Sequence, residues 1–357
     1  MKRYGNLYEK IYDIDNLRLA HANARKDKTF YEEVKKVDSD VDFYLLQIQE
    51  MLINKTYEVG EYKISTINDK GKERELYKLP YFPDRIIQWA ILLQTEPIFL
   101  KVLMPFTCAS LKKRGIHKAS KMLDEYLKDR KGTEFCLKID IKKFYQNIDH
   151  SILKRLLMKK FKDKDLLWVM FLVIDSFPCD KGIPIGSYLS QYFANFYLAY
   201  FDHWIKEEMK VKYVIRYMDD VVFLHSSKEF LHELRILIEK YLDSELNLQL
   251  KSNWQVFPTE IRGIDFVGYR HFYDYKLLRK STCKNFKQKM LRILKKCENQ
   301  ERLNYRDWCC VNSYRGWIKW CDGNRLTDKY ILPLQSYLDD HYENQIKKKK
   351  KETEVVS

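Results

Sequence analysis

The chain of 357 residues is 45% hydrophobic and 15% aromatic, enough to bury a substantial core, and its length predicts two or three subdomains. Its formal net charge of +15 favours a polyanionic partner through phosphate contacts and counterion release, with nucleic acid the first candidate. The longest apolar stretch, Leu166 to Ile174, falls far short of the roughly 20 residues that span a bilayer; with no apolar run at the N-terminus and eight cysteines lacking C-x-x-C spacing, a cytoplasmic protein with reduced thiols, no structural zinc and no membrane partner is expected.

In chain order, Val41, Leu45, Ile48, Met51 and Leu52 recur at helical spacing, and Asn54-Lys55-Thr56-Tyr57 leads from that helix into an extended region. Pro83-Asp84 opens a second amphipathic helix over Arg85 to Ile98, carrying Ile86, Ile87, Ala90 and Leu93 on its apolar side. Phe135 to Asp140 alternates with a period of two, which puts Phe135, Leu137 and Ile139 on one face of a strand and Asp140 on the other. Helices follow over Ile152 to Lys160 and over Asp165 to Ile174, the latter apolar on most sides and so expected to be buried. Val214-Ile215 and Val221-Val222-Phe223-Leu224 flank Tyr217-Met218-Asp219-Asp220 as a hairpin. Past Gly268 only helices are expected, with Phe286, Met290, Ile293, Leu294 and Cys297 on one stripe. Ten Lys or Arg lie between Arg270 and Lys296 against Asp274 alone, and the end of the chain, with Lys347 to Lys351, reads as disordered.

Asp219-Asp220 placed between buried strands has two readings. An Asp-Asp turn can be a solvated hairpin corner. It can also be a metal site, because Mg²⁺ takes one or two carboxylates together with substrate phosphates. A second strand-ending carboxylate, Asp140, favours the metal. The basic helical stretch likewise reads either as a solvated face or, with Tyr269, Phe272, Tyr273, Tyr305, Tyr314, Trp317 and Trp320 nearby, as a nucleic-acid groove whose aromatics could stack on bases.

Several further segments fall into an order. Lys72-Glu73-Arg74, Pro80 and Asp84-Arg85-Ile86-Ile87-Gln88 precede Lys112-Lys113-Arg114-Gly115, and Lys138-Ile139-Asp140-Ile141-Lys142-Lys143-Phe144-Tyr145 comes next. Gly182-Ile183-Pro184-Ile185-Gly186-Ser187-Tyr188-Leu189-Ser190-Gln191, Tyr217-Met218-Asp219-Asp220, Lys251 and Phe266-Val267-Gly268-Tyr269 complete it. Over residues 50 to 272 this resembles the fingers and palm of reverse transcriptases of the bacterial and phage, group II intron-like lineage. Ile185-Gly186-x-x-x-Ser190-Gln191 is most similar to the enzymes of diversity-generating retroelements, which copy RNA with frequent errors opposite adenine. The spacer Ser187-Tyr188-Leu189 departs from the Asn-led, Thr-containing spacer of that group and leaves a defence-associated reverse transcriptase open.

The resemblance implies an α+β right-hand polymerase: an N-terminal helical extension over 1–50, fingers and palm with an antiparallel sheet over 51–272, a basic helical thumb over 273–345 and a Lys-rich tail over 346–357. It implies two Mg²⁺ ions bridged by Asp140 and Asp219, with Asp220 in a supporting metal or hydrogen-bonding role. Lys72, Arg74 and Arg114 would clamp the triphosphate, and Lys251 would act as a general acid near the pyrophosphate. Tyr145 would crowd a ribose 2′-hydroxyl, or be a packing tyrosine. Gly186 would let the nucleotide or templating base approach the backbone, with Ile185 and Gln191 beside it. Partners implied are template RNA, the cDNA product and dNTPs, with an accessory protein or non-coding RNA left open. Two other readings remain: an idle nucleic-acid-binding subunit, which the three carboxylates disfavour, and an untemplated or protein-primed nucleotidyltransferase on the same palm.

Overall fold

The computed structural model describes residues 2–69, 72–301 and 303–338; the expected disordered tail lies outside the described residues. Mixed helices and antiparallel strands bear out the α+β class. The chain divides into two compact units. The first comprises Met1–Gly115, Leu137–Phe223 and Lys228–Val256; the second comprises Ile116–Cys136, Leu224–Ser227 and Phe257–Ser357.

In the first unit, helices Ile14–Ala24 and Val41–Ile53 precede a hairpin of β1 (Lys63–Asp69) and β2 (Lys72–Lys78), paired antiparallel with Ile67 opposite Arg74. Helix Ile86–Val102 follows, and its Ile87, Ala90, Ile91, Ile98 and Phe99 are all buried. Asp84 fixes the entry to this helix: fully buried, it accepts from the Tyr57 hydroxyl at 2.8 Å and the Gly60 amide at 3.1 Å. Burial nevertheless pushes its pKa up, since desolvation disfavours the charged form. Helix Ile14–Ala24 packs along Ile86–Val102, where the Asn16 amide donates to the carbonyls of Ile11 and Ala90 at 2.9 and 3.3 Å.

Strand β3 (Phe135–Asp140) runs between β5 (Asp220–His225) and β6 (Gln255–Pro258), while β4 (Tyr213–Tyr217) forms the other edge, in the order β4-β5-β3-β6. The expected alternation holds at the end of β3. Leu137 and Ile139 are buried, and Lys138 and Asp140 are half-buried on the other face.

The second unit corrects the expectation of helices only beyond Gly268. A three-stranded antiparallel sheet forms from β7 (Ile264–Phe266), β8 (Tyr269–His271) and β9 (Lys276–Leu278). Its tight first turn uses Val267 and Gly268 at φ 42° and 91°, a region that Gly enters at little cost. Helix Lys280–Glu298 buries Phe286, Met290, Ile293 and Cys297 and turns Lys284, Lys287, Lys289 and Arg292 to solvent. The aromatics divide differently from the groove reading, because the apolar helix stripe needs large partners to fill the layer beneath it. Tyr269 is fully buried, and Tyr314, Trp317 and Trp320 pack against the core formed by Phe286, Met290, Ile293, Val311 and Leu334. Of those seven aromatics, Tyr305 stays well exposed.

Candidate active site

Asp140, Asp219 and Asp220 all stand in the first unit. The chain reverses between β4 and β5 through Met218 and Asp219, with Met218 in the left-handed region at φ 59°. For a residue with a Cβ this conformation costs about 1–2 kcal/mol, so the surroundings must hold it. Arg216 does so: its Nη1 donates to the Met218 carbonyl at 3.0 Å.

Arg216 is 0% exposed and Asp202 is 1% exposed. The guanidinium grips Asp202 with two bonds, Nε to Oδ1 at 2.7 Å and Nη2 to Oδ2 at 2.6 Å. Thr107 donates its hydroxyl to the same Oδ2 at 2.8 Å. The bidentate geometry suits arginine's planar fork, and the pair anchors the acidic turn in the core. Sequence reasoning passed over both residues. The available signal was a lone charge within the otherwise apolar Tyr213-Val214-Ile215-Arg216 run, which is buried throughout.

The carboxylates are coupled. Burial raises the Asp220 pKa to about 6; Lys138 opposes the rise, and the charges of Asp140 and Asp219 add to it. Lys138 Nζ lies 3.2 Å from Asp220 Oδ2, while Oδ1 of the same carboxylate is buried with no hydrogen-bond partner. Lys251 is held at the site from two sides, its amide donating to the Asp140 carbonyl at 2.8 Å and its ammonium forming a short ion pair with Asp140 Oδ1.

Among the described residues, no group of three or more His, Cys, Asp or Glu side chains forms a metal-binding cluster. The donor set still fits divalent cations in two respects: an orphaned carboxylate oxygen faces no partner, and ammonium groups sit on Asp140 and Asp220 where cationic charge is wanted. Hard cations of this kind complete their shells with substrate phosphates and water.

Tyr145 lies beside the turn, with its hydroxyl 3.7 Å from Met218 Sδ. Burial and then the Asp219 charge push its pKa up, so it is a neutral phenol. The Tyr145 carbonyl accepts from the Ile183 amide at 2.9 Å, tying this loop to the segment that carries Ile185 and Gly186. Gly186 has φ 116°, a backbone state that side chains disfavour, and Ile185 is half-buried.

Gly186 and Gln191 also line a cavity of 190 Å³ together with Tyr77, Arg85, Gln88 and Trp89. Trp89 stacks on Tyr188 with centroids 4.7 Å apart. Gln88 is 5% exposed, its Oε1 accepts from Ser187 Oγ at 2.5 Å, and its Nε2 is buried without a partner.

Of the three side chains expected to clamp the triphosphate, Arg114 alone is among the described residues. The side chains of Lys72 and Arg74 lie outside the described residues. Arg114 serves the backbone instead, with its Nη1 donating to the carbonyls of Met104 and Thr107, both at 2.8 Å. It thereby braces the segment whose Thr107 reaches Asp202, because carbonyls turned inward in a tight loop need a donor.

A family profile described as reverse transcriptase (RNA-dependent DNA polymerase) matches residues 63–271, more than half of the chain, and the chain belongs to that family. Its α+β fold is accordingly of the right-hand polymerase class. Protein YkfC of Escherichia coli (strain K12) is 22% identical over 242 residues, covering 56% of this chain and 63% of that protein, so the chain spans less than two thirds of this curated relative. Apo telomerase from Candida Tropicalis is similar at 14% identity and a TM-score of 0.46, over 60% of this chain and 48% of that one. The same telomerase truncated from its C-terminal domain gives the same identity and score over 64% and 59%. No helix among the described residues is long and apolar enough to cross a membrane.

Proposed function

We propose that the chain is an RNA-directed DNA polymerase that extends a primer with dNTPs on an RNA template by two-metal phosphoryl transfer. The observation that carries this reading is the meeting of the end of β3 with the acidic turn, where the Ile141 amide, next to Asp140, donates to the Asp219 carbonyl at 3.2 Å, within a chain of the reverse transcriptase family. Asp140 and Asp219 would hold two Mg²⁺ ions, with Asp220 supporting them. When bound, the ions activate the primer 3′-hydroxyl and neutralise charge on the triphosphate.

The chain's own groups supply the rest. Lys251, paired with Asp140, is the proton donor for the departing pyrophosphate, and Lys138 restrains Asp220. Tyr145, neutral and packed beside Met218, presents a rigid ring to the sugar and favours deoxyribose. The cavity under Gly186, with its stacked Trp89 and Tyr188 and the unpaired Gln88 amide, supports a path for an unpaired template base, since aromatic faces and isolated donors suit bases. The fingers, palm and thumb divisions at residues 51, 273 and 346 belong to the same proposal. Ile185-Gly186-x-x-x-Ser190-Gln191 supports error-prone copying of the diversity-generating kind, with a defence role as the alternative.

Primer extension on RNA tests the assignment. Asp219→Asn should keep the fold yet abolish extension, and normal extension by that variant refutes the site. Wild-type synthesis that persists when template RNA is omitted refutes the templated reading in favour of untemplated transfer.

A further inference from the structure

Away from the carboxylates, the first unit gathers positive charge around one ring. Residues at the start of the chain form a bridge beside Phe161: the Tyr4 amide donates to the Lys160 carbonyl at 2.9 Å, and the Lys162 amide to the Tyr4 carbonyl at 2.7 Å. This seats the Tyr4 ring between three ammonium groups, with Lys160 Nζ at 5.5 Å, Lys2 Nζ at 5.6 Å and Lys101 Nζ at 5.9 Å from its centroid. None of the three has a carboxylate partner among the described residues. Lys160 is only 8% exposed, and three like charges gathered on one ring repel one another.

Two local effects offset part of that cost. Lys101 and Lys160 lie in the last turns of helices Ile86–Val102 and His150–Lys160, whose C-termini each carry roughly half a negative charge. Three whole charges against two halves still leave about +2. The ring itself contributes only about 0.5–2 kcal/mol per cation. The residual charge makes this ring a place that attracts an anion.

Lys101, Lys159 and Lys160 line a 490 Å³ cavity together with Glu207, Glu208 and Glu245. Glu207 is engaged by His203 at 2.7 Å. With carboxylates in the same lining, the lysines suit one phosphate better than a run of them. The ring that collects the lysines lies outside residues 63–271 matched to the family.

We propose that Lys2, Lys101 and Lys160, gathered on Tyr4, form a phosphate-binding site that takes a single backbone phosphate of a nucleic acid. The partner's identity rests on the polymerase reading; the site itself rests on the lysines. The test is anisotropy of a labelled single-stranded RNA of mixed sequence, titrated over a range of salt without metal or nucleotide. It compares the wild type, a Lys2→Gln/Lys101→Gln/Lys160→Gln triple and a charge-matched Lys26→Gln/Lys36→Gln/Lys240→Gln control at exposed positions.

The cluster triple should bind roughly tenfold more weakly, with a log–log salt slope shallower by about 0.7, the value for one phosphate of a single strand, while the control changes by less than about twofold. Equal effects of the two triples overturn the proposal. Should the buried Lys160 change unfold the protein, the Lys2→Gln/Lys101→Gln double, confined to exposed lysines, carries the same comparison. Inorganic phosphate and pyrophosphate are titrated separately as competitors. Displacement of RNA that depends on the cluster supports the shared phosphate site, and phosphate binding there without any effect on RNA overturns the nucleic-acid assignment. Because binding is read without catalysis, failure to extend a primer would count against the polymerase reading alone.

Discussion

Removing the Arg216 guanidinium is the sharpest way to separate support of the acidic turn from general stability. Arg216→Met keeps much of the side-chain volume but leaves Asp202, 1% exposed, as an unpaired buried charge. Breaking such a pair costs about 3–5 kcal/mol, a large share of the roughly 5–15 kcal/mol typical of a domain. The variant also loses the 3.0 Å bond to the Met218 carbonyl that holds a left-handed residue next to Asp219. Displacing a catalytic group by about 1 Å can cost on the order of a hundredfold in rate. Urea denaturation should therefore show a loss of about 3–5 kcal/mol, and primer extension at saturating dNTP should show kcat down about a hundredfold. The double variant Arg216→Met/Asp202→Leu removes both charges and should recover most of the stability, since apolar replacement of a buried pair is often neutral. Its kcat should stay low, because nothing restores the donor to Met218. Full recovery of both stability and kcat would refute the positioning role and leave Arg216 as a mere counter-ion.

Three further outcomes are expected. Asp220 has a folded pKa raised to about 6, so the folded state holds the extra proton between the ordinary carboxylate range and about pH 6, and its contribution to stability falls as pH rises through that window; Asp220→Asn should flatten this decline in urea titrations at several pH values, and divalent-ion affinity of the wild type should weaken below about pH 6. Tyr145→Ala should raise rNTP incorporation relative to dNTP while Tyr145→Phe leaves the preference nearly intact, as read from single-nucleotide extension; an unchanged ratio in the Ala variant assigns the gate elsewhere. Ile185→Gln should lower misincorporation by roughly ten- to a hundredfold, most of all opposite adenine, because a contact of order 1–3 kcal/mol is restored, and sequencing cDNA from one adenine-rich RNA measures it.

The site was legible in the sequence wherever a local pattern carried it. Asp140 ends an alternating run, and two acids interrupt an apolar hairpin; both signals follow from strand periodicity, and the sheet places them as that periodicity requires. Lys138 was available by the same rule, since it stands two residues before Asp140 on the same face. The aromatic residues after Gly268 were harder, because spacing alone does not say whether a ring faces a base or a core. Tyr314 and Trp317 face the core.

What stayed hidden depends on contacts between distant segments. Arg114 follows a basic motif that suggests phosphate, yet its Nη1 is engaged by carbonyls of Met104 and Thr107, and the direction of a carbonyl is set by loop geometry that no spacing encodes. Arg216 stands out as the lone charge in an apolar strand, but Asp202, on a separate helix, reads alone as surface charge, so their pairing is not visible in the sequence. In the proposed reading, the polymerase motifs mark the groups that would meet the substrate. The residues that hold those groups in a left-handed turn emerge only when the packing is known, because their chemistry is spent on other parts of the protein.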